Sequence, residues 1–141
     1  MKDETPRILI VDPDPLFGGK LWSLLSSKGY EVETVQGITE AVQRLKDVNF
    51  GCVIMDEDLP EMKGHDAVPV LRAISPRVPI IMSAAANSPE RESRIRRQDV
   101  FFYYVKSFDM EELQTAVADA FRKLSRNATV SQGTKRKKGR W

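Results

Sequence analysis

The sequence predicts an α/β fold, a mostly parallel sheet with helices packed on both faces, and three observations carry that prediction. Strand and helix patterns alternate five times between residues 7 and 125. The two clearest strand patterns, I-L-I-V at Ile8 to Val11 after Arg7 and V-I-M at Val53 to Met55, are short unbroken apolar runs, as strands buried on both faces must be. Each run then stops on a carboxylate, Asp12 and Asp56, and Asp56 is followed by acidic and turn residues. In an open α/β sheet the carboxyl ends of the strands are where ligands are held. Two adjacent strands ending in carboxylates form a candidate cation site.

Length and composition bound the fold. At 141 residues the chain suits one domain with a real core. Hydrophobic residues at 41% and charged residues at 30% are the proportions of a soluble globular protein, and no apolar run approaches the roughly 18 residues of a membrane span. The segment M-K-D-E-T-P-R lacks an apolar signal core, and the single cysteine, Cys52, lies within a strand pattern where it packs in the core. A reducing cytoplasm is the expected location. The net charge of +2 hides an asymmetry. Residues 126–141 hold six basic side chains and no acid, leaving 16 basic against 20 acidic in residues 1–125. The expectation is a folded body over 1–125 and a basic, disordered tail over 126–141.

Each element has its own signal. After the first strand, Leu16, Phe17, Leu21, Leu24 and Leu25 recur at helical spacing, with Pro15 at an early position and Gly29 at the stop. Gly18 and Gly19 lie inside this helix, so its first turns are expected to be soft or closely approached by another backbone. Residues 30–35 read as an edge strand, and Ile38, Ala41, Val42 and Leu45 as the stripe of a second helix. The central strand runs over Gly51 to Met55, followed by a loop through Gly64. A third helix spans roughly Asp66 to Ile74; Pro69 suggests that it begins late, near Val68. Val78 to Ser83 is a fourth strand, and Ser88-Pro89-Glu90 opens a fourth helix whose only clear apolar anchor is Ile95 among Arg91, Arg94, Arg96 and Arg97. Phe101 to Val105 is the fifth strand. Asp109, with Glu112 three residues on, caps a last helix with Met110, Leu113, Val117, Ala120, Phe121 and Leu124 as its stripe.

Four stretches in order, I-L-I-V-D at Ile8 to Asp12, I-M-D-E-D-L-P-E-M-K-G at Ile54 to Gly64, P-I-I-M-S-A at Pro79 to Ala84 and Y-Y-V-K-S-F at Tyr103 to Phe108, resemble the receiver domain of bacterial two-component response regulators. The resemblance covers about residues 7–125. It implies a doubly wound, flavodoxin-like five-stranded parallel sheet of order 2-1-3-4-5. It implies a single-domain response regulator without an output domain, signalling by protein contact and not acting as an enzyme; no nucleophile–base pair or Gly-rich phosphate loop is present. Carried over by position, Asp56 is the phosphoacceptor, Lys106 the lysine that neutralises the phosphoryl oxygens, and Asp12, Asp56 and the backbone carbonyl of Asp58 the ligands of Mg²⁺. The implied partners are a sensor histidine kinase or phosphotransfer protein and a downstream protein target. That target, and a homodimer in some members, uses the face formed by helix four, strand five and helix five, where the arginines of helix four would favour an acidic surface.

The sequence departs from the family pattern at three places. The second acid of the metal-binding pair is Pro13, which has no donor, with Asp14 as a substitute only if the loop turns back. Counted five residues after Pro79 and 22 before Lys106, the phosphate-sensing hydroxyl position falls on Ala84; Ser83 is one position off and is expected to face away from the phosphate unless the strand is bulged. The aromatic switch position is Tyr103, and with Ala84 beside the site its coupling to phosphorylation is expected to be weak. The third departure, Ser107 in place of a proline after the lysine, disfavours a cis bond there. Two rival readings follow: a phosphorylation-independent adaptor of the same fold, and a weak nucleic-acid binder through the tail, for which no folded DNA-reading element is present. His65, the single histidine, reads as a surface residue.

Overall fold

The computed structural model describes residues 5–107 and 109–133. Its five strands are β1 (Arg7–Val11), β2 (Glu31–Val35), β3 (Cys52–Asp56), β4 (Ile80–Ala84) and β5 (Phe102–Val105). They alternate with α1 (Pro15–Ser27), α2 (Ile38–Asp47), α3 (Gly64–Ile74), α4 (Pro89–Arg96) and α5 (Glu111–Gly133). All pairings are parallel and the order is β2-β1-β3-β4-β5, the doubly wound flavodoxin-like arrangement. No helix among the described residues is long and apolar enough to cross a membrane.

The period of two along each strand divides the core into two layers. Ile8, Ile10, Cys52, Ile54, Ile81 and Tyr104 face α1 and α5, meeting Phe17, Leu21, Leu25, Leu113 and Val117. Leu9, Val11, Val53, Met55, Ile80 and Met82 face the other way, onto Ala41, Leu45, Val68, Leu71 and Ile95 of α2, α3 and α4. Burial raises the Cys52 thiol to about 12, so this cysteine is a core residue. The edge strand β2 is only partly buried, and Ile95 is the one buried residue of α4.

The helix entries follow local chemistry except at α2 and α3. Asp14 caps α1 by accepting from Leu16 N, Ser88 caps α4 by accepting from Arg91 N, and Asp109 accepts from Glu111 N at α5. Gly18 packs inside α1; a Cβ there would lie 3.3 Å from the Thr34 methyl carbon. α3 does not begin late: it starts at Gly64 and carries Pro69 in its interior. Its first turn is held from outside. The Gly64 N–H donates to Glu57 O at 2.7 Å, and the Glu57 carboxylate accepts from His65 N at 2.9 Å. Those tertiary bonds offset the donor that Pro69 removes. α5 continues to Gly133, into the stretch expected to be a tail, and residues 134–141 lie outside the described residues, as does Phe108.

Candidate functional site

Alternation along the strands brings the site together. Asp12 continues the Ile8–Ile10 series one step beyond β1, Asp56 ends the Cys52–Ile54 series, and Lys106 follows Tyr104, so all three emerge on the α1/α5 side of the sheet's carboxyl edge. Backbone bonds fix the strand ends: Asp12 N donates to Val35 O at 2.9 Å and Lys106 N to Ala84 O at 2.8 Å. The Lys106 ammonium bridges the two acids, 2.9 Å from Asp12 Oδ2 and 2.8 Å from Asp56 Oδ1. It also lies 4.3 Å from the Phe17 ring centroid.

Both carboxylates are nearly inaccessible, Asp12 at 2% and Asp56 at 5% exposure. Their remaining oxygens are taken by the loops: Asp12 Oδ1 accepts from Asp14 N and Asp56 Oδ2 from Asp58 N, each at 2.8 Å. Burial raises the Asp12 pKa above its ordinary value, against the lowering effects of the Asp14 N–H and Lys106. Burial alone would lower Lys106, but its hydrogen bonds to Asp56 and Asp12 prevail and raise it. Lys106 is therefore a fixed positive charge at neutral pH.

Of Ser83 and Ala84, the two switch candidates on β4, Ser83 is the one that shares the face of Asp56. The register pairs Asp56 with Ser83 and Ser83 with Tyr104, so Ser83 lies on the same face of the sheet as Asp56, whereas Ala84 pairs with Val105 and belongs to the opposite face. The expectation that Ser83 faces away is thus corrected. The strand pairing, not the count along the connection, sets the face. Ser83 Oγ is fully buried without a hydrogen-bond partner. Tyr103, on the other face, donates to Asn87 Oδ1 at 2.7 Å, a residue just before α4.

Several residues lie elsewhere than the sequence suggests. Asp14, the substitute considered for the missing acid at Pro13, uses Oδ1 to cap α1. His65 is not a free surface residue: its Nδ1 lies 2.5 Å from Glu57 Oε2, and Glu57 is only 1% exposed. A buried carboxylate at the end of a strand needs such a partner, and only folding reveals that the helix start supplies it. Glu61 has a role that no local pattern signals. Its carboxylate accepts from Ile38 N at 3.0 Å and Thr39 N at 3.4 Å, capping α2, whose own N-cap residue Gly37 has no side chain for the purpose. The Ile38 N–H holds the Glu61 carboxyl below its ordinary range. The Lys106–Ser107 peptide is trans.

Asp58 has two cationic neighbours. Lys63 Nζ is 2.6 Å from Oδ1, and Arg91 Nη2, from α4, is 3.5 Å from Oδ2. Lys63 in particular, with Arg91 adding to it, lowers the Asp58 pKa. Toward Mg²⁺ the donors present fit a reduced site: the carboxylates of Asp12 and Asp56 and the carbonyl of Asp58 are the oxygen donors that would hold the ion. Pro13 contributes nothing, and no group of three His, Cys, Asp or Glu side chains able to hold a metal occurs among the described residues.

Comparison with known proteins agrees with the fold. Residues 8–118 match the family described as response regulator receiver domain. The regulatory protein AtoC of Escherichia coli is 31% identical over 114 residues, which are 81% of this chain and 25% of that protein. The transcriptional regulatory protein PrrA of Mycobacterium leprae is 28% identical over 130 residues, 92% of this chain and 56% of that protein. The chain thus spans about a quarter to about half the length of these relatives. Among solved structures, the response regulator TrrA of Thermotoga maritima in complex with Mg²⁺ and BeF is 28% identical with a TM-score of 0.73, covering 82% of this chain and 99% of that one. A CheY-like receiver domain from Methanospirillum hungatei, 22% identical, has a TM-score of 0.82 over 88% of this chain and 99% of that one.

Proposed function

The chain belongs to the response regulator receiver family of two-component signalling, and from that membership we propose that Asp56 accepts a phosphoryl group and that the altered surface signals to a partner protein. The observation that carries this reading is the Lys106 ammonium held between Asp12 and Asp56 at the sheet's carboxyl edge. A carboxylate oxygen of Asp56 attacks the phosphorus of a phosphohistidine or a small acyl phosphate. The bond to the leaving group breaks as the new O–P bond forms, and the leaving group departs with the electron pair. Lys106 neutralises charge on the transferring group's oxygens without moving a proton, since its raised pKa keeps it ionised. Mg²⁺, held by Asp12, Asp56 and the Asp58 carbonyl with water completing its shell, would supply further neutralisation of the same oxygens.

Ser83 is the group suited to sense the product, because its buried hydroxyl shares the face of Asp56 and has no partner to surrender. A hydroxyl drawn toward a phosphoryl oxygen shifts β4, and the Tyr103–Asn87 bond on the far face connects that strand's neighbour to the start of α4. The face of α4, β5 and α5 is then the output surface, with the arginines of α4 favouring an acidic protein partner. The upstream partner is a sensor histidine kinase or phosphotransfer protein, in the cytoplasm.

Acetyl phosphate labelling, read by intact mass, tests the proposal. The native chain labels once and Asp56→Ala does not. Pro13 favours one rival, a phosphorylation-independent adaptor; labelling only after Pro13→Asp would select it, and no labelling of either form would refute phosphoacceptance. The tail reading depends on residues 134–141, outside the described residues.

A further inference from the structure

We infer that Lys63 and Arg91 act with Lys106 as the site's own counter-charge, so that Asp56 takes a phosphoryl group from a small acyl phosphate without requiring a divalent cation. This rests on the reading of Asp56 as phosphoacceptor and adds which groups neutralise the product. Two facts lead to it. The acid pair that would grip a metal is broken at Pro13, and each acid remaining on the rim already faces a protein cation. Asp12 and Asp56 share Lys106 at 2.9 and 2.8 Å, while Asp58 holds Lys63 at 2.6 Å and Arg91 at 3.5 Å. The other nearby acids point elsewhere, Glu57 onto His65 and Asp14 into the cap of α1.

Charge on this rim is therefore balanced, three carboxylates against three cations. Asp58 is not remote from the chemistry, because its backbone N–H donates to Asp56 Oδ2 at 2.8 Å. Arg91 is set in place from both sides, its Nη1 donating to Ala86 O at 2.9 Å and its Nη2 facing Asp58, with only 23% of its side chain exposed. Lys63 is bound to the same carboxylate by a long and half-exposed stem that can re-aim. In the reaction an Asp56 oxygen bonds to the phosphorus of acetyl phosphate, the acetyl oxygen–phosphorus bond breaks, and acetate leaves with that electron pair. A carboxylate of one negative charge becomes an acyl phosphate of two, so the rim goes from neutral to one excess negative charge. With Lys106 alone it would carry three. The covered Lys106 pairs interact most strongly, the Arg91 pair is partly covered, and the exposed Lys63–Asp58 pair is the one that water and salt weaken most.

The test compares acetyl phosphate labelling in excess EDTA with labelling in Mg²⁺ for the native chain, for Lys63→Gln with Arg91→Gln, and for Pro13→Asp. The native chain is expected to label in EDTA within about threefold of its rate in Mg²⁺, and the doubly substituted chain roughly tenfold or more slower in EDTA with a smaller loss in Mg²⁺. In thermal melts without phosphodonor, Mg²⁺ is expected to raise the Tm of Pro13→Asp more than that of the native chain, whose reduced donor set holds the ion weakly. Native labelling that EDTA abolishes and Mg²⁺ restores would overturn the inference while leaving Asp56 as the acceptor. An unaltered EDTA rate in the double variant would overturn it too. No labelling of any variant in any condition would overturn the acceptor reading itself, and this inference with it.

Discussion

At the scale of single residues, the site is a contest between burial and pairing. Asp12 is buried strongly enough that its carboxyl is raised despite a lysine 2.9 Å away, so its charge destabilises the fold relative to a neutral isostere. Asp12→Asn is accordingly expected to stabilise the chain at pH 7 by about 0.5–1 kcal/mol in urea denaturation, the amide oxygen still accepting from Asp14 N. Lys106 has the opposite sign. Its folded-state pKa is raised, so its contribution is fully present below the ordinary lysine value of 10.5 and is lost as pH rises through the higher folded value. Lys106→Met leaves two buried carboxylates unpaired and should cost about 2 kcal/mol or more at pH 7. That deficit should shrink in acid as Asp12 protonates, and a deficit independent of pH between 7 and 3 would refute the pairing account.

At the scale of elements, the loop from Asp56 to Gly64 ties helices that their own sequences leave unfinished. Glu61 caps α2 from 23 positions away, and its folded pKa is lowered. Its contribution is thus present above the ordinary value of 4.5 and is lost as pH falls through the folded one. Glu61→Gln should cost about 0.5–1 kcal/mol at pH 7 and little at pH 3, measured as the difference between two denaturation curves. Gly64 lets α3 begin against the end of β3: a Cβ there would lie 2.6 Å from the Asp56 carbonyl oxygen and 2.6 Å from Met82 Cε. Because the first obstacle is backbone, Gly64→Ala is expected to lose about 1–3 kcal/mol and to disturb the loop that positions Asp56, lowering labelling as well as Tm.

At the scale of the whole molecule, the sheet is rigid and α4 is the soft part. The central strands β1, β3 and β4 are buried along almost their whole length, while α4 contributes Ile95 alone to the core and is otherwise held by polar ties through Arg91, Asn87 and Ser88. Native-state hydrogen exchange should show α4 amides opening at lower free energy than those of β1 and β3. If Ser83 is the sensing hydroxyl, BeF₃⁻ should shift amide resonances in α4 of the native chain, and Ser83→Ala should reduce those shifts without preventing binding at Asp56. Equal shifts in both would exclude the Ser83 route.

The strand and helix order, the layered sheet and the gathering of Asp12, Asp56 and Lys106 on one rim were legible in the sequence, because an apolar run with period-two alternation fixes which face each strand-end side chain leaves by. What that alternation cannot supply is registration between strands. The side on which Ser83 lies was decided only when β4 paired with β3, since a count along the chain carries no information on which residue of one strand stands beside which residue of its neighbour. The partners of Glu57, Glu61 and Asp58 are likewise contacts across 5 to 33 positions of sequence. No local pattern encodes them: they arise because packing brings loop carboxylates beside helix ends and cations that need them.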